Sequence, residues 1–378
     1  MAEISWLQRS RPAAILLVCG LLAACGTETA TTSTPPPATT PSSAAAPAGY
    51  RVMFTASTIN SSQIFLYDSA SSAPQQLVST GSVPPEARFI ASQKMAYVDT
   101  TNQMTSRILT VDLSSHASTT DVSANGYVPA FAYSHDGSML AYLLHDQQSK
   151  ASLHQRRGGQ DHAYNLNPIP GRGSTRDDEV RLEYSPDDKY LLMVDTYVGN
   201  QGQAPETGQF LVLRSSDLSV AFVPPSGISS NATMATWARH SNRLFYRDAI
   251  GVRTWTAEDH NVGTLVAGLH WYDPAPSPDD RWLAFTDIDT QFVPHVRLYD
   301  LQTNQVAATV SAARSHPIFV TAASLWDLEE QPCQSECLAG PSQTSGKAFA
   351  YAFDSKRESA LPFSDVHTLS QLAVAFSP

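Results

Sequence analysis

From residue 50 onward the apolar positions fall in short runs. Val, Ile, Leu, Phe, Tyr and Trp alternate there with Ser, Thr and charged residues, and clusters of Ser, Asp, Asn, Pro and Gly divide the runs. A period of two bounded by turn formers predicts half-buried β-strands rather than helices. One unit recurs, a strand, a turn led by Ser, and a second strand: Phe131–Tyr142, Leu182–Met193 and Pro276–Phe285. Weaker copies lie at Arg88–Tyr97 and Trp237–Tyr246, and a degenerate one at Phe319–Trp326. Each strong copy is followed by two further strands. Four short antiparallel strands per unit make the blade of a β-propeller. The steps from Ser92 through Ser134, Ser185, Ser241, Ser277, Ser324 and Ser377 average about 47 residues, close to the usual length of such repeats.

The two ends of this region complement each other. The first unit offers only three strands, Arg51–Ala56, Gln63–Tyr67 and Gln75–Val78, whereas Leu372–Pro378 reads as a spare inner strand. The C-terminal strand therefore completes the first blade and closes the ring, which removes exposed edges. The expected fold is all-β, a single propeller over residues 50–378 with seven four-stranded blades. Six is the alternative if a degenerate copy is an insertion. The Asp-Gly and Asp-Asp pairs after Ser134, Ser185 and Ser277 are read as turn formers, since Ser and Asp side chains bond nearby backbone N–H groups.

Residues 1–49 follow a different pattern. Arg9 and Arg11 precede an apolar stretch from Ala13 to Ala24, too short to span about 30 Å of hydrocarbon comfortably. It ends in Leu22-Ala23-Ala24-Cys25-Gly26. This resembles the lipobox of bacterial lipoprotein signal peptides. The resemblance implies cleavage of residues 1–24, diacylglycerol on the Cys25 sulfur and a further acyl chain such as palmitate. Two or three such chains anchor stably, at about 0.8 kcal/mol per buried methylene. The segment 25–49, rich in Thr, Ser, Pro and Ala, lacks hydrophobic periodicity and is expected to be a disordered tether. The expected location is extracytoplasmic, on a bacterial membrane. Cys333 and Cys337 are an even pair in an exported chain, so a disulfide is the default, with free thiols or metal ligands as alternatives.

Composition narrows the function classes. The 378 residues carry 24 Lys and Arg against 35 Asp and Glu, a net charge of −11. That balance argues against binding a phosphate backbone, and no nucleic-acid partner is expected. His145, His154 and His162 with Arg156 and Arg157 form a locally basic stretch, read as solvated strand and loop positions.

The Ser-Pro-Asp-Asp copies resemble the WD40-like repeats of TolB-type propellers. The resemblance covers about residues 50–378 and implies the propeller fold. The TolB family carries a separate α/β domain where this chain has the tether, so a role in envelope energy coupling does not transfer. Similar repeats precede the hydrolase domain of prolyl-oligopeptidase-type enzymes, but this chain has no Gly-x-Ser-x-Gly nucleophile elbow.

Function is expected on the propeller face that carries the longer loops, Asn167–Glu179, Thr196–Gly208 and Glu329–Gly346. The inner strands begin with Glu86, Arg88, Glu179, Arg181, His270, His316, Asp365 and His367, which can ring the channel mouth. Glu179, Arg181, His270, His316 and His367 are the ligand-binding candidates, with Trp271 as the Trp expected to be exposed. Asp287 and Asp289, two apart at a strand end, are candidate Ca²⁺ ligands; otherwise no cofactor is expected. The leading expectation is a membrane-anchored, monomeric binding scaffold for a protein or small ligand. The alternatives are a metal-dependent propeller hydrolase or lyase, and a structural envelope spacer.

Overall fold

The computed structural model describes residues 49–57, 62–71, 73–80, 87–91, 93–102, 105–148, 151–165, 177–197, 207–224, 235–248, 250–268, 271–291, 293–330, 344–364 and 373–376. All of them belong to one unit, Ala45–Pro378. The signal segment, Cys25 and the tether lie outside these residues. Among the described residues no helix is long and apolar enough to cross a membrane.

The predicted strands form seven antiparallel four-stranded sheets. Blade 1 joins β28 (Ala373–Phe376) to β1 (Tyr50–Ser57), β2 (Ser62–Asp68) and β3 (Gln75–Thr80). Blade 2 is β4 (Ala87–Ala91), β5 (Lys94–Asn102), β6 (Thr105–Asp112) and β7 (Ser118–Ala124). Blade 3 is β8 (Phe131–Tyr133), β9 (Met139–His145), β10 (Ala151–Arg157) and β11 (Gln160–Asn165). Blade 4 is β12 (Asp177–Tyr184), β13 (Tyr190–Tyr197), β14 (Thr207–Arg214) and β15 (Val220–Phe222). Blade 5 is β16 (Ala235–Trp237), β17 (Arg243–Arg247), β18 (Gly251–Thr256) and β19 (Val262–Ala267). Blade 6 is β20 (Trp271–Pro276), β21 (Trp282–Ile288), β22 (Pro294–Asp300) and β23 (Gln305–Ala312). Blade 7 is β24 (Arg314–Thr321), β25 (Ser324–Glu330), β26 (Thr344–Ala352) and β27 (Arg357–Ser364). The chain is a seven-bladed β-propeller. As expected, the C-terminal strand closes it: β28 pairs with β1 from Tyr50↔Phe376 to Met53↔Ala373.

Packing follows strand parity. Successive side chains of a strand point to opposite faces, and each face of a blade meets a different neighbour. Leu191, Met193, Leu211 and Leu213 pack against blade 3, while Leu192, Val194, Phe210 and Val212 pack against blade 5. Clusters of this kind fill every seam around the ring. This is why the second strands read as unbroken apolar runs. Both of their faces are core.

The Ser-led turns have the role read from their sequence. Ser134, Ser185 and Ser277 each donate to the Asp two residues on, at 2.7, 2.8 and 2.5 Å. Each hydroxyl also accepts the N–H five residues on, at 2.8, 3.0 and 2.9 Å. The fourth turn residue is left-handed, with φ of +70° at Gly137, +60° at Asp188 and +54° at Asp280. Gly, Asn and Asp tolerate that region best. Where this residue is Asp, its carboxylate also reaches back to the preceding blade. Asp188 accepts from the His135 backbone N–H at 2.9 Å, and Asp280 from those of Arg239 and His240 at 2.6 and 2.9 Å. Two registers differ from expectation. Ser324 opens β25 instead of leading a turn, and β12 begins at Asp177, so Asp177, Asp178 and Glu179 are strand and not loop.

These turns make stability depend on acid. Hydrogen bonds from Ser134 and Ser138 hold the Asp136 carboxyl down to about 2. Burial pushes Asp187 up, but hydrogen bonds from Lys189, Asn242 and Ser185 outweigh it and bring it to about 2. A carboxyl depressed in the native state binds fewer protons there than in the unfolded chain. Its contribution is present above about pH 4, the unfolded value, and is lost as pH falls toward 2. The melting temperature is expected to fall between pH 4 and pH 2, and to fall less steeply in the Asp136→Asn, Asp187→Asn double variant. Thermal melts followed by circular dichroism check this.

Candidate functional site

The first strand of each blade is innermost. β8 touches β12, β16 touches β20, β20 touches β24, and β28 touches β4. Charged side chains on and just beyond these strands meet polar partners of the neighbouring blade, forming two groups in blades 4 to 7.

The first group spans blades 4 to 6. Arg181 and Glu183 lie two apart on β12 and so share a face; they pair at 2.7 Å. Thr236 of β16 lies 3.3 Å from Arg181 Nη2 and donates to Glu183 Oε2 at 3.4 Å. The Trp237 indole donates to the Glu183 carbonyl at 3.3 Å, fixing blade 5 against blade 4. Arg239, just past β16, is exposed to solvent.

The second group joins blades 6 and 7. His316 Nδ1 lies 2.9 Å from Asp273 Oδ2. Thr286 Oγ1 accepts the His316 N–H at 3.1 Å and donates to Asp273 at 3.3 Å. Burial pushes the Asp273 carboxyl up, but the His316 imidazole and hydrogen bonds from His316 and Thr286 outweigh it and hold it low. A carboxylate on Nδ1 keeps the proton there and makes Nε2 the basic nitrogen. Both residues have positive φ, +53° at Asp273 and +51° at His316, at irregularities in their ladders. Both precede proline, which further restricts the backbone. Backbone strain of this kind costs about 1–3 kcal/mol per residue and persists where surrounding structure enforces it.

The remaining sequence candidates divide as follows. Arg181 and His316 belong to the two groups just described. The Glu179 backbone pairs with Thr196 on β13. His270, His367, Cys333 and Cys337 lie outside the described residues, as do most of the three longer loops. Trp271 is a correction: it is not exposed. Only 8% of its surface is accessible, its indole donates to the Ala267 carbonyl at 3.3 Å, and its ring meets Phe285 edge-on at 4.6 Å. Asp287 and Asp289 turn to separate side chains. Asp287 pairs with Arg297 and Asp289 with His295, each at 2.9 Å, and Asp289 Oδ1 caps its own turn through the Gln291 and Val293 N–H groups. Among the described residues no group of three or more His, Cys, Asp or Glu converges as a metal site would require.

Sequence reasoning missed Asp273, Glu183, Thr286 and Arg239. A signal for Asp273 existed: Asp273-Pro274 and His316-Pro317 occupy matching positions on neighbouring inner strands.

No family model and no curated protein matches the chain. Solved structures share its fold. A protein of unknown function from Desulfotomaculum acetoxidans is 10% identical with a TM-score of 0.52, over 87% of this chain and 99% of that one. An oligogalacturonate lyase from Vibrio parahaemolyticus is 9% identical with a TM-score of 0.52, over 82% of this chain and 84% of that one. TolB from Acinetobacter baumannii is 16% identical with a TM-score of 0.44, over 67% of this chain and 62% of that one. This chain thus spans less than two thirds of that TolB. At these identities the likeness concerns the fold.

Proposed function

We propose that this protein is an extracytoplasmic, lipid-anchored propeller that binds a protein or small ligand at its channel. The observation that carries the reading is the Asp273–His316 pair, two ionisable residues held in left-handed backbone on adjacent inner strands. Strain of this kind gathers at binding and active sites, and Arg181, Glu183 and Thr236 form a second polar group on inner strands of the ring. The basic N-terminus, apolar stretch and Leu22–Cys25 motif support export and anchoring. Pull-down from cross-linked envelope extracts tests the binding. The intact chain is expected to capture a reproducible partner, and His316→Ala with Arg181→Ala to lose it while the melting curve persists. Capture of nothing reproducible under several growth conditions counts against the reading. Cys25→Ser tests the anchor separately by moving the protein out of the membrane fraction.

A further inference from the structure

A second candidate lies on the outer half of blade 3, away from the channel. Ser152 and His154 are two apart on β10 and so share a face, opposite Leu144 and Tyr142 of β9. Asp161 stands on β11, the outermost strand of the blade. It is one diagonal step from His154, whose direct partner is Ala163. His154 is not the solvated position its basic neighbours suggest: only 13% of its side chain is exposed.

The three side chains are linked in series. His154 Nδ1 lies 3.1 Å from Asp161 Oδ2, and His154 Nε2 lies 3.0 Å from Ser152 Oγ. The carboxylate accepts from Nδ1, so the proton sits there and Nε2 is left to accept from the Ser152 hydroxyl. The other acceptor for that hydroxyl, the Leu144 carbonyl, is 3.5 Å away. Tyr142 holds the imidazole in place. Its ring stacks on His154 with centroids 4.7 Å apart and planes 17° from parallel, and its hydroxyl donates to the same Asp161 Oδ2 at 2.6 Å. The backbone ladders of β9, β10 and β11 run through this region without a break, so the sheet does not need these contacts to hold it. A nucleophile within hydrogen-bond reach of a base, with the base oriented by a third group, is the arrangement that activates a serine. All three members stand on strands, which hold such geometry better than loops do.

We propose that Ser152, His154 and Asp161 form an acyl-transfer site that hydrolyses small carboxylic esters. Ser152 Oγ attacks the acyl carbon while its proton passes to His154 Nε2. The tetrahedral intermediate expels the alcohol, which takes that proton, and the acyl group stays on Ser152. Water then attacks the acyl group by the same route, and the carboxylic acid departs with Oγ reprotonated. Ser152 and His154 are the catalytic residues; Asp161 and Tyr142 are positioning residues. Ser152 is half-buried, so a small acyl group is what reaches it. This site is independent of the channel reading and stands if that reading fails.

Labelling of the full chain with a fluorophosphonate, followed by tryptic digestion and mass spectrometry, tests it. The adduct is expected on Ala151–Arg156, in which Ser152 is the only hydroxyl residue. The chain should also hydrolyse p-nitrophenyl acetate, and Ser152→Ala should abolish both adduct and hydrolysis. His154→Gln should lower kcat about a hundredfold, the worth of a general base. Asp161→Asn should lower kcat and leave KM unchanged, and all three variants should keep the melting curve. No adduct on that peptide in the unsubstituted chain overturns the proposal whatever the variants do. Hydrolysis unmoved by Ser152→Ala or by His154→Gln overturns it as well.

Discussion

A chain ending at residue 372 is expected to lose about 3–5 kcal/mol of stability and much of its cooperativity. Without β28, blade 1 keeps three strands and β1 becomes an open edge from Tyr50 to Met53. Val52, Met53 and Phe54 on that strand are 0 to 2% exposed. Fully burying each is worth about 1.5–3 kcal/mol, and the truncation uncovers part of all three. The loss is a large fraction of the whole stability of a typical domain, about 5–15 kcal/mol. Urea denaturation of the truncated and full chains measures it, and a synthetic peptide of residues 373–378 added in trans should recover part of it. An unchanged midpoint would show that closure is carried elsewhere.

Trp326→Ala should cost about 3–5 kcal/mol, the usual range for an aromatic removed from a tight core. Trp326 is fully buried at the seam where the last blade meets the first. Its ring meets Tyr50 edge-on at 6.1 Å and Tyr67 at 5.8 Å, contacts worth about 0.5–1.5 kcal/mol each beyond burial. Trp282 lies half-buried beneath the Arg281 guanidinium, and its truncation should cost clearly less. A double-mutant cycle between Trp326 and Tyr67 in urea reads the coupling across the seam. Strict additivity would contradict a direct contact between the blades.

The blades were legible in the sequence because their signals are local. Period-two alternation and Ser-x-Asp turns act within a few residues, so the count of seven and the closing strand could be read from spacing. The channel groups were legible only in part, since each partnership crosses between blades. Arg181 and His316 were visible as charged residues on inner strands. That His316 meets Asp273, or that Thr236 meets Glu183, depends on how neighbouring sheets are rotated about the axis. Trp271 was misread for the same reason: an inner-strand aromatic looks exposed until Phe285 of the next strand is placed beneath it.

The parity of strands such as β13 has a consequence for how this chain can change over time. Leu191 and Met193 serve one seam, Leu192 and Val194 the other, and any apolar residue of suitable volume meets either demand. Substitutions that keep the alternation are tolerated, whereas inserting a single residue would exchange the two sets and spoil both seams together. Such a molecule holds its architecture while its letters drift almost freely, in keeping with a fold it shares with proteins only 9–10% identical to it.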